Sequence, residues 1–191
     1  MAWTRTAIAA GHAKRYLTRT QMVETHFRIQ IPLDEAKHRL SKWWGAIEPD
    51  EYIETNPSEA VALAITEDGQ WRGGALYFYE SNGWSVFVDL SGGFGGIPAT
   101  KWLEFTNQDA FVFAGYNDSI PYGELIVIEG GVVKREFIDY PDEPEENKNE
   151  GQLLSEKQHP IASWIEVASF VDDDPHAFSE KGWLWVNECV G

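Results

Sequence analysis

The chain has 191 residues, of which 43% are hydrophobic and 24% are charged, values that fit one folded domain and exclude a chain that is disordered throughout. Its 31 acidic residues outnumber 15 basic ones, and the formal net charge is −16. This charge argues against a nucleic-acid partner and against docking on an anionic membrane, because both require a positive surface.

The acidity is unevenly distributed along the chain. Residues 1–50 contain eight Lys and Arg and five Asp and Glu, a net charge of +3, whereas residues 51–191 contain seven and 26, a net charge of −19. We therefore divide the chain into a basic N-terminal arm, residues 1–22, and a single domain, residues 23–191. The negative field of that domain speeds encounter with a cationic partner.

The domain is predicted to begin with a strand and a helix. Residues 23–31 alternate between apolar and polar side chains, which is typical of a half-buried strand. Residues 33–44 carry apolar side chains at helical spacing before Gly45, so they predict a helix. The polar residues 46–60 predict a loop, and the apolar run 61–66 predicts a short strand.

A hairpin is the strongest local signal. Residues 75–81 and 84–90 flank Asn82–Gly83, a pair that supplies the two positive φ angles of a type I′ turn. The two-residue turn places Ser81 opposite Trp84 and sets the register of the whole pair. Both faces of this hairpin are apolar, so we expect it to be central in its sheet.

A second hairpin is predicted around Gly130–Gly131, which is flanked by residues 124–129 and 132–138. An uninterrupted register from this turn places Glu124 and Arg135 on the same apolar face. We therefore expect a structural ion pair between these two side chains, either buried or at the floor of a polar pocket.

The other predicted elements are, in chain order, a glycine-rich loop at 92–96, a helix over 98–105, a strand over 110–114, an acidic loop at 139–157, a helix that begins at Pro160, a short helix that opens with Asp174 and Pro175, and an apolar run over 183–186. This order predicts an α+β fold: a single domain with a largely antiparallel sheet, built from two hairpins with helices packed on it.

The sequence contains no signature of a cofactor or metal site. The loop at 92–96 lacks both the third glycine of G-x-G-x-x-G and the Gly-Lys-Ser/Thr of a phosphate-binding loop. The five histidines form no H-E-x-x-H motif, and the run of Asp172, Asp173 and Asp174 lacks the ligand spacing of a calcium loop. The single cysteine, Cys189, excludes a disulfide framework. We expect no cofactor, no metal and a cytoplasmic location.

Four segments resemble the immunity proteins of bacterial polymorphic-toxin systems: residues 76–84 (LYFYESNGW), 89–93 (DLSGG), 113–118 (FAGYND) and 122–128 (YGELIVI). Such proteins are small, often acidic α+β proteins that are encoded beside a secreted toxin domain and block its active site. The resemblance covers about residues 75–150 and implies that the chain is an immunity protein and not an enzyme. Its partner would be a cognate toxin domain, and the acidic charge indicates that this domain is basic.

The loops at one end of the sheet are the expected toxin-binding surface. Phe94, which we expect at the exposed tip of the glycine-rich loop, would supply an apolar anchor. The predicted contact residues are Asp89, Phe94, Tyr116 and Asp118, with the cluster Asp172, Asp173 and Asp174 as a second candidate.

Two alternatives stay open. A small acidic enzyme of the hydrolase type would need Asp89, Asp118 and Glu124 around one cleft, since such catalysis uses paired carboxylates. A regulatory module that binds another basic protein would share the acidic surface but inhibit no toxin.

Overall fold

A computed structural model describes residues 24–45 and 52–188. The predicted basic arm and Cys189 lie outside these residues. The strands are β1 (Glu24–Ile29), β2 (Ile53–Thr55), β3 (Gly73–Ser81), β4 (Trp84–Asp89), β5 (Phe111–Asn117), β6 (Tyr122–Glu129), β7 (Val132–Asp139), β8 (Lys148–Gly151) and β9 (Gly182–Glu188). The α-helices are α1 (Leu33–Trp44), α2 (Pro57–Ala64), α3 (Ala99–Thr106) and α4 (Trp164–Asp172), and short 3-10 helices cover Pro144–Glu146 and Leu154–Lys157.

In the described part of the chain, the nine strands form one sheet in the order β2-β9-β3-β4-β1-β5-β6-β7-β8. Every pair of neighbours is antiparallel. The predicted α+β class with an antiparallel sheet is therefore confirmed.

The first hairpin has the predicted register. Ser81 lies opposite Trp84 and Phe78 opposite Phe87. The turn residues Asn82 and Gly83 have φ angles of 50° and 82°, the left-handed values that a type I′ turn requires. Because β3 also pairs with β9 and β4 with β1, the hairpin is central in the sheet, as expected.

The second hairpin contains a β-bulge that changes its register. Ile128 lies opposite Val133, but Val127 lies opposite Arg135, so one residue of β7 is left out of the pairing. The bulge moves Arg135 to the face opposite Glu124. The predicted ion pair between Glu124 and Arg135 is therefore wrong, because the register from the turn does not continue past the bulge.

Two predicted segments have a different secondary structure. The run 61–66, predicted as a strand, belongs mainly to α2, which begins after Asn56; this side chain accepts a hydrogen bond from the Glu59 amide. Short apolar runs do not distinguish a strand from a buried helix, and here Ala60 and Ala64 form the buried stripe. The predicted loop 46–60 contains β2 and the start of α2, with residues 46–51 outside the described part.

The C-terminal part also differs from its prediction. The acidic segment 139–157 contains both 3-10 helices and the edge strand β8, which pairs with β7. The short helix predicted at Asp174 is a turn, in which the Asp174 carboxylate accepts a hydrogen bond from the His176 amide at 2.9 Å. A hydrogen bond from a side-chain oxygen to an amide two residues later is typical of a helix start, but it also stabilises an isolated turn, as it does here.

The two faces of the sheet have different interiors. The face that carries Phe27, here called the aromatic face, packs against α1 and α3 and contains the largest cluster of buried side chains. The opposite face, here called the mixed face, contains two smaller apolar clusters, one under α2 and one under α4.

Candidate functional site

Two polar residues of the central strand β1 separate the apolar clusters of the mixed face. His26 lies opposite Val88 of β4 and Ala114 of β5, and Arg28 lies opposite Val86 and Val112. Both polar side chains are buried. A buried cation needs a nearby counter-charge, so the segment that covers β1 must supply one.

The counter-charge comes from residues 173–181, which follow α4 and are here called the covering turn. The Asp174 side chain is 1% exposed; its Oδ2 lies 3.0 Å from His26 Nε2 and also pairs with the Arg28 guanidinium. Arg28 in addition lies 5.2 Å from the centre of the Trp84 ring, a cation–π contact. Burial lowers the pKa of Arg28 to about 10, so this side chain stays charged at neutral pH.

Two tyrosines fix the backbone of the covering turn. Tyr79 Oη donates a hydrogen bond to the His176 carbonyl at 2.6 Å, and Tyr77 Oη donates one to the Ser179 carbonyl at 3.0 Å. Burial raises the pKa of both tyrosines, which therefore remain donors across the physiological range. The His176 ring lies 3.0 Å from Ser81 Oγ, and burial, followed by the charge of Arg28, lowers its pKa. The turn is thus fastened by side chains of β1 and β3.

A cleft of about 200 Å³ lies beside this network, between the end of α4 and the strands β1 and β4. Its lining residues are Thr25, His26, Val88, Val171, Asp172 and Ala177. Pockets for drug-sized ligands usually have about 300–1,000 Å³. The cleft is therefore suited to a single side chain or a few waters rather than to a nucleotide.

Carboxylates surround the C-terminus of α4 at the mouth of this cleft. Asp172 is the last helical residue and accepts a hydrogen bond from Tyr116 Oη at 3.1 Å; Asp173 follows as the C-cap. Both side chains are exposed. Helix C-termini favour cations, so acids at this position store unfavourable electrostatic energy and create a negative potential. The structure thus places Tyr116, a residue of the first predicted surface, beside Asp172 of the second. The prediction that Asp174 is a surface contact is wrong, because its side chain is buried against His26 and Arg28.

The aromatic face holds the other predicted contact residues, but inside the protein. Phe94 is 1% exposed and packs against Phe27 and Trp44, with ring centres at 5.2 and 4.8 Å. The buried Asp89 carboxylate accepts hydrogen bonds from the Phe94 amide at 2.8 Å and from the Ser91 amide and hydroxyl, both at 3.2 Å. The prediction that Phe94 is an exposed anchor is wrong, and Asp89 is not a surface residue.

Glu124 fastens the other end of the glycine-rich loop. Its Oε2 accepts hydrogen bonds from the Gly96 amide at 2.8 Å and from Tyr122 Oη at 2.7 Å. Burial raises the pKa of Glu124 to about 7 and also raises the pKa of Asp89. Asp118 is exposed in the turn between β5 and β6, so the three carboxylates of the catalytic alternative do not line one cleft.

Arg135 has a partner that the sequence did not indicate. Its Nε donates to Glu156 at 2.9 Å and its Nη1 to Asn149 Oδ1 at 2.8 Å, on the mixed face. Glu156 lies in a segment predicted as a loop without core residues, and a buried carboxylate there gives no periodic signal. The pair fastens β8 and the second 3-10 helix to the sheet.

Sequence reasoning also missed His26, Arg28 and the covering turn. The alternation of residues 23–31 assigned both polar side chains to a solvent-facing side, whereas both are buried. The weak available signal was the coincidence of two cationic residue types on a strand with a distant acidic run. Period two identifies the face that a side chain occupies but not what covers that face.

Comparison of the chain with family models, with curated proteins and with solved structures gave no match in any of the three cases. Within residues 24–45 and 52–188, no three His, Cys, Asp or Glu side chains are grouped so that they could hold a metal ion. In the same residues, no helix has both the length and the apolar character of a bilayer-spanning segment.

Proposed function

We propose that the chain is an immunity protein that binds a basic toxin domain through the surface around the C-terminus of α4 and so blocks the toxin's active site. The observation that carries this proposal is the separation of charge between the two sides of the sheet. It is supported by the position of the ion pairs, by the exposed carboxylates and by the size of the cleft.

On the aromatic face, exposed acids are balanced by neighbouring cations of α1 and α3. Lys37 lies 2.7 Å from Asp34, and Lys101 lies 2.7 Å from Glu104. Arg39 contacts both Glu35 and Asp109, at 2.5 and 2.7 Å. This side therefore projects little net charge toward a partner.

Around α4 and the covering turn, acids outnumber cations: Arg28 pairs with the buried Asp174, and the exposed Lys181 is the cation of the turn itself. Residues 158–180, which include α4 and most of the covering turn, contain five acidic residues and no Lys or Arg. Asp172 and Asp173 are exposed at the end of α4, and Asp118 is exposed in the nearby turn after β5. We refer to these three residues as the acidic rim. A potential of one sign over such a surface steers a cationic partner and excludes an anionic one.

The shape of this surface favours a protein partner over a small substrate. The cleft beside the rim has about 200 Å³, below the usual range for ligand pockets, and lies between the end of α4 and the strands β1 and β4. Toxins that act on nucleic acid need a basic groove to hold phosphates, and an acidic surface that covers this groove excludes the substrate. Inhibition then requires no chemistry on the part of the inhibitor.

The first test is co-purification and inhibition. The full chain is tagged in its host, and proteins retained at low and moderate salt are identified by mass spectrometry. We expect one stoichiometric basic protein with a toxic domain, whose activity is abolished by an equimolar amount of the chain. If the retained partner carries no toxic activity, or if its activity persists in the complex, the chain is not an immunity protein.

A charge reversal locates the surface. Asp173→Lys is expected to reduce the association rate constant by about tenfold at low salt, with a smaller effect at high salt where charges are screened. Glu129→Lys is the matched control, since Glu129 is exposed at the last position of β6, the end of that strand away from Asp118. Equal effects of the two substitutions would show that net charge alone, and not the acidic rim, determines binding.

A further inference from the structure

The covering turn presents one aromatic side chain to solvent. Phe178 is 69% exposed, although it lies between Ala177, which lines the cleft, and Ser179, whose carbonyl is held by Tyr77. We propose that Phe178 is the aromatic anchor of this chain and inserts into an apolar recess on a basic protein partner. That the partner is a toxin rests on the proposed function; that Phe178 is the anchor does not.

The backbone on both sides of Phe178 is fixed before binding. The His176 carbonyl is held by Tyr79 and the Ser179 carbonyl by Tyr77, and both tyrosines are buried. Asp174, at the start of the turn, is held by Arg28. A segment that is already ordered loses little conformational entropy when it binds, and this loss otherwise weakens association.

The charges around Phe178 specify the kind of partner. The exposed charged residues of the covering turn are Asp173, Glu180 and Lys181, two acids and one base, so the exposed part of the turn carries a net negative charge. An aromatic side chain inside a polar, charged rim is the usual anatomy of a binding hot spot, in which the rim excludes water from the anchor. Because the acids of this turn outnumber its one cation, Lys or Arg around the recess of the partner is favoured, so a basic protein fits better than an acidic one.

Other exposed apolar residues fit this role less well. Leu154 is 83% exposed, but it is aliphatic, lies in a short 3-10 helix and precedes Lys157 by three residues. Leu is under-represented among hot-spot residues, whereas aromatic residues dominate them. Trp183 is less exposed, at 37%, and stacks on Phe78 with ring centres at 6.1 Å. Leu154 is therefore a suitable control for an exposed apolar residue outside the proposed surface.

The test uses the full chain with Phe178→Ala, Phe178→Tyr or Leu154→Ala as bait in the host extract, followed by affinity measurement with the purified partner. Phe178→Ala is expected to weaken binding by about 30-fold or more, mainly through faster dissociation. Phe178→Tyr, which keeps the ring, and Leu154→Ala should stay within about threefold of the unchanged chain. Because position 178 is exposed, the urea midpoints of all variants should agree.

The outcomes separate the two proposals. A toxin retained equally by the unchanged chain and by Phe178→Ala overturns the anchor and leaves the immunity function intact. A basic partner without toxic activity, retained by the unchanged chain and lost by Phe178→Ala, supports the anchor and overturns the immunity function. An unchanged chain that retains no basic protein even at low salt overturns both.

Discussion

The glycine-rich loop on the aromatic face and the covering turn on the mixed face are both fastened to the sheet by buried carboxylates, but the charges are balanced differently. Asp89 and Glu124 accept hydrogen bonds from backbone amides and hydroxyls of the loop and its surroundings. Asp174 instead pairs with the side chains of His26 and Arg28. The first arrangement supplies dipoles and the second supplies a formal positive charge.

This difference determines what each carboxylate contributes to stability. Dipoles offset only part of the desolvation of a buried carboxylate, so the pKa of Glu124 rises to about 7 and its ionisation opposes folding. The Asp174 network contains a full charge pair, and neither partner can be removed without leaving the other buried and uncompensated. The loop on the aromatic face is therefore sensitive to pH, and the covering turn is sensitive to the loss of a partner.

Among these substitutions, removal of the Asp174 carboxylate should lower the free energy of unfolding most. Asp174→Ala leaves Arg28 buried without its counter-charge, and we expect the free energy of unfolding to fall by about 4–5 kcal/mol in urea titrations. Asp173→Ala, one residue earlier and exposed, should change it by less than about 0.5 kcal/mol. Similar effects at the two positions would mean that the Arg28 pair contributes nothing. If the alanine variant does not fold, Asp174→Asn gives the same comparison with less loss of packing.

On the aromatic face, the contribution of Phe94 to the free energy of unfolding should come from packing of its ring and not from charge. Phe94→Ala removes a buried ring and should lower the free energy of unfolding by about 3–4 kcal/mol. Phe178→Ala makes the same chemical change at an exposed position and should change it by less than about 0.5 kcal/mol. The affinity for the partner should respond in the opposite order. A Phe94→Ala chain that is fully stable yet loses its partner would restore the idea of an exposed anchor at the loop tip.

The pH dependence of the free energy of unfolding, measured with and without Glu124→Gln, should separate the role of Glu124 from that of Asp174. The usual pKa of Glu is 4.5, and the folded value of Glu124 is about 7, so between these pH values the folded chain binds the proton that the unfolded chain has released. The unfolding free energy of the unsubstituted protein therefore falls as pH rises from 4.5 to 7, by up to about 3 kcal/mol from this group.

Gln keeps an acceptor for Gly96 and Tyr122 but does not ionise. The variant should thus gain up to about 3 kcal/mol relative to the unsubstituted chain between pH 4.5 and pH 8, measured by urea unfolding at each pH. Glu129→Gln, at an exposed position, should leave the pH profile unchanged. Parallel profiles for Glu124→Gln and the unsubstituted chain would contradict a raised pKa at this site.

Substitution of an acidic residue at either end of α4 should change the free energy of unfolding least. Asp172→Asn removes an acid from the helix C-terminus and should raise the free energy of unfolding by roughly 0.3–0.5 kcal/mol at low salt, while it weakens partner binding. Glu166→Gln removes an acid from the first turn, where the Ser163 hydroxyl lowers its pKa, and should lower the free energy of unfolding. Changes of the same sign would show that the helix dipole does not govern these sites. A gain in stability with a loss of binding is the signature of an acid kept for function.

Local chemistry allowed some of these features to be predicted from the sequence. The register of the first hairpin follows from Asn82 and Gly83, because a two-residue primed turn leaves little freedom in the pairing of the strands. The helix α1 follows from the spacing of its apolar residues and from Gly45, which has a φ of 66°. The sequence also grouped Asp172, Asp173 and Asp174 at the end of α4, but it did not indicate that Tyr116 binds Asp172 or that the Asp174 side chain is buried.

Contacts between distant segments decided the rest. The bulge in β7 moved Arg135 to the mixed face, where Glu156 binds it, although the turn between β6 and β7 gave no sign of it. Phe94 was predicted at a loop tip, but its amide is bound by Asp89 and its ring fills a space beside Trp44. No local pattern indicates that Glu156 binds Arg135 or that the Phe94 ring packs on Trp44, because each of these two contacts joins residues that are distant in the chain.

The sequence by itself determined the acidic charge, the α+β class and the pairing of the central hairpin, since these depend on composition, on the order of elements and on one turn. Only the tertiary structure decided which polar residues are buried and which apolar residues are exposed. His26 and Arg28 are buried because the covering turn crosses β1, and Phe178 is exposed because the tyrosines of β3 fix the backbone on both sides of it. Burial is a property of what packs on a residue, and that is set by the whole fold.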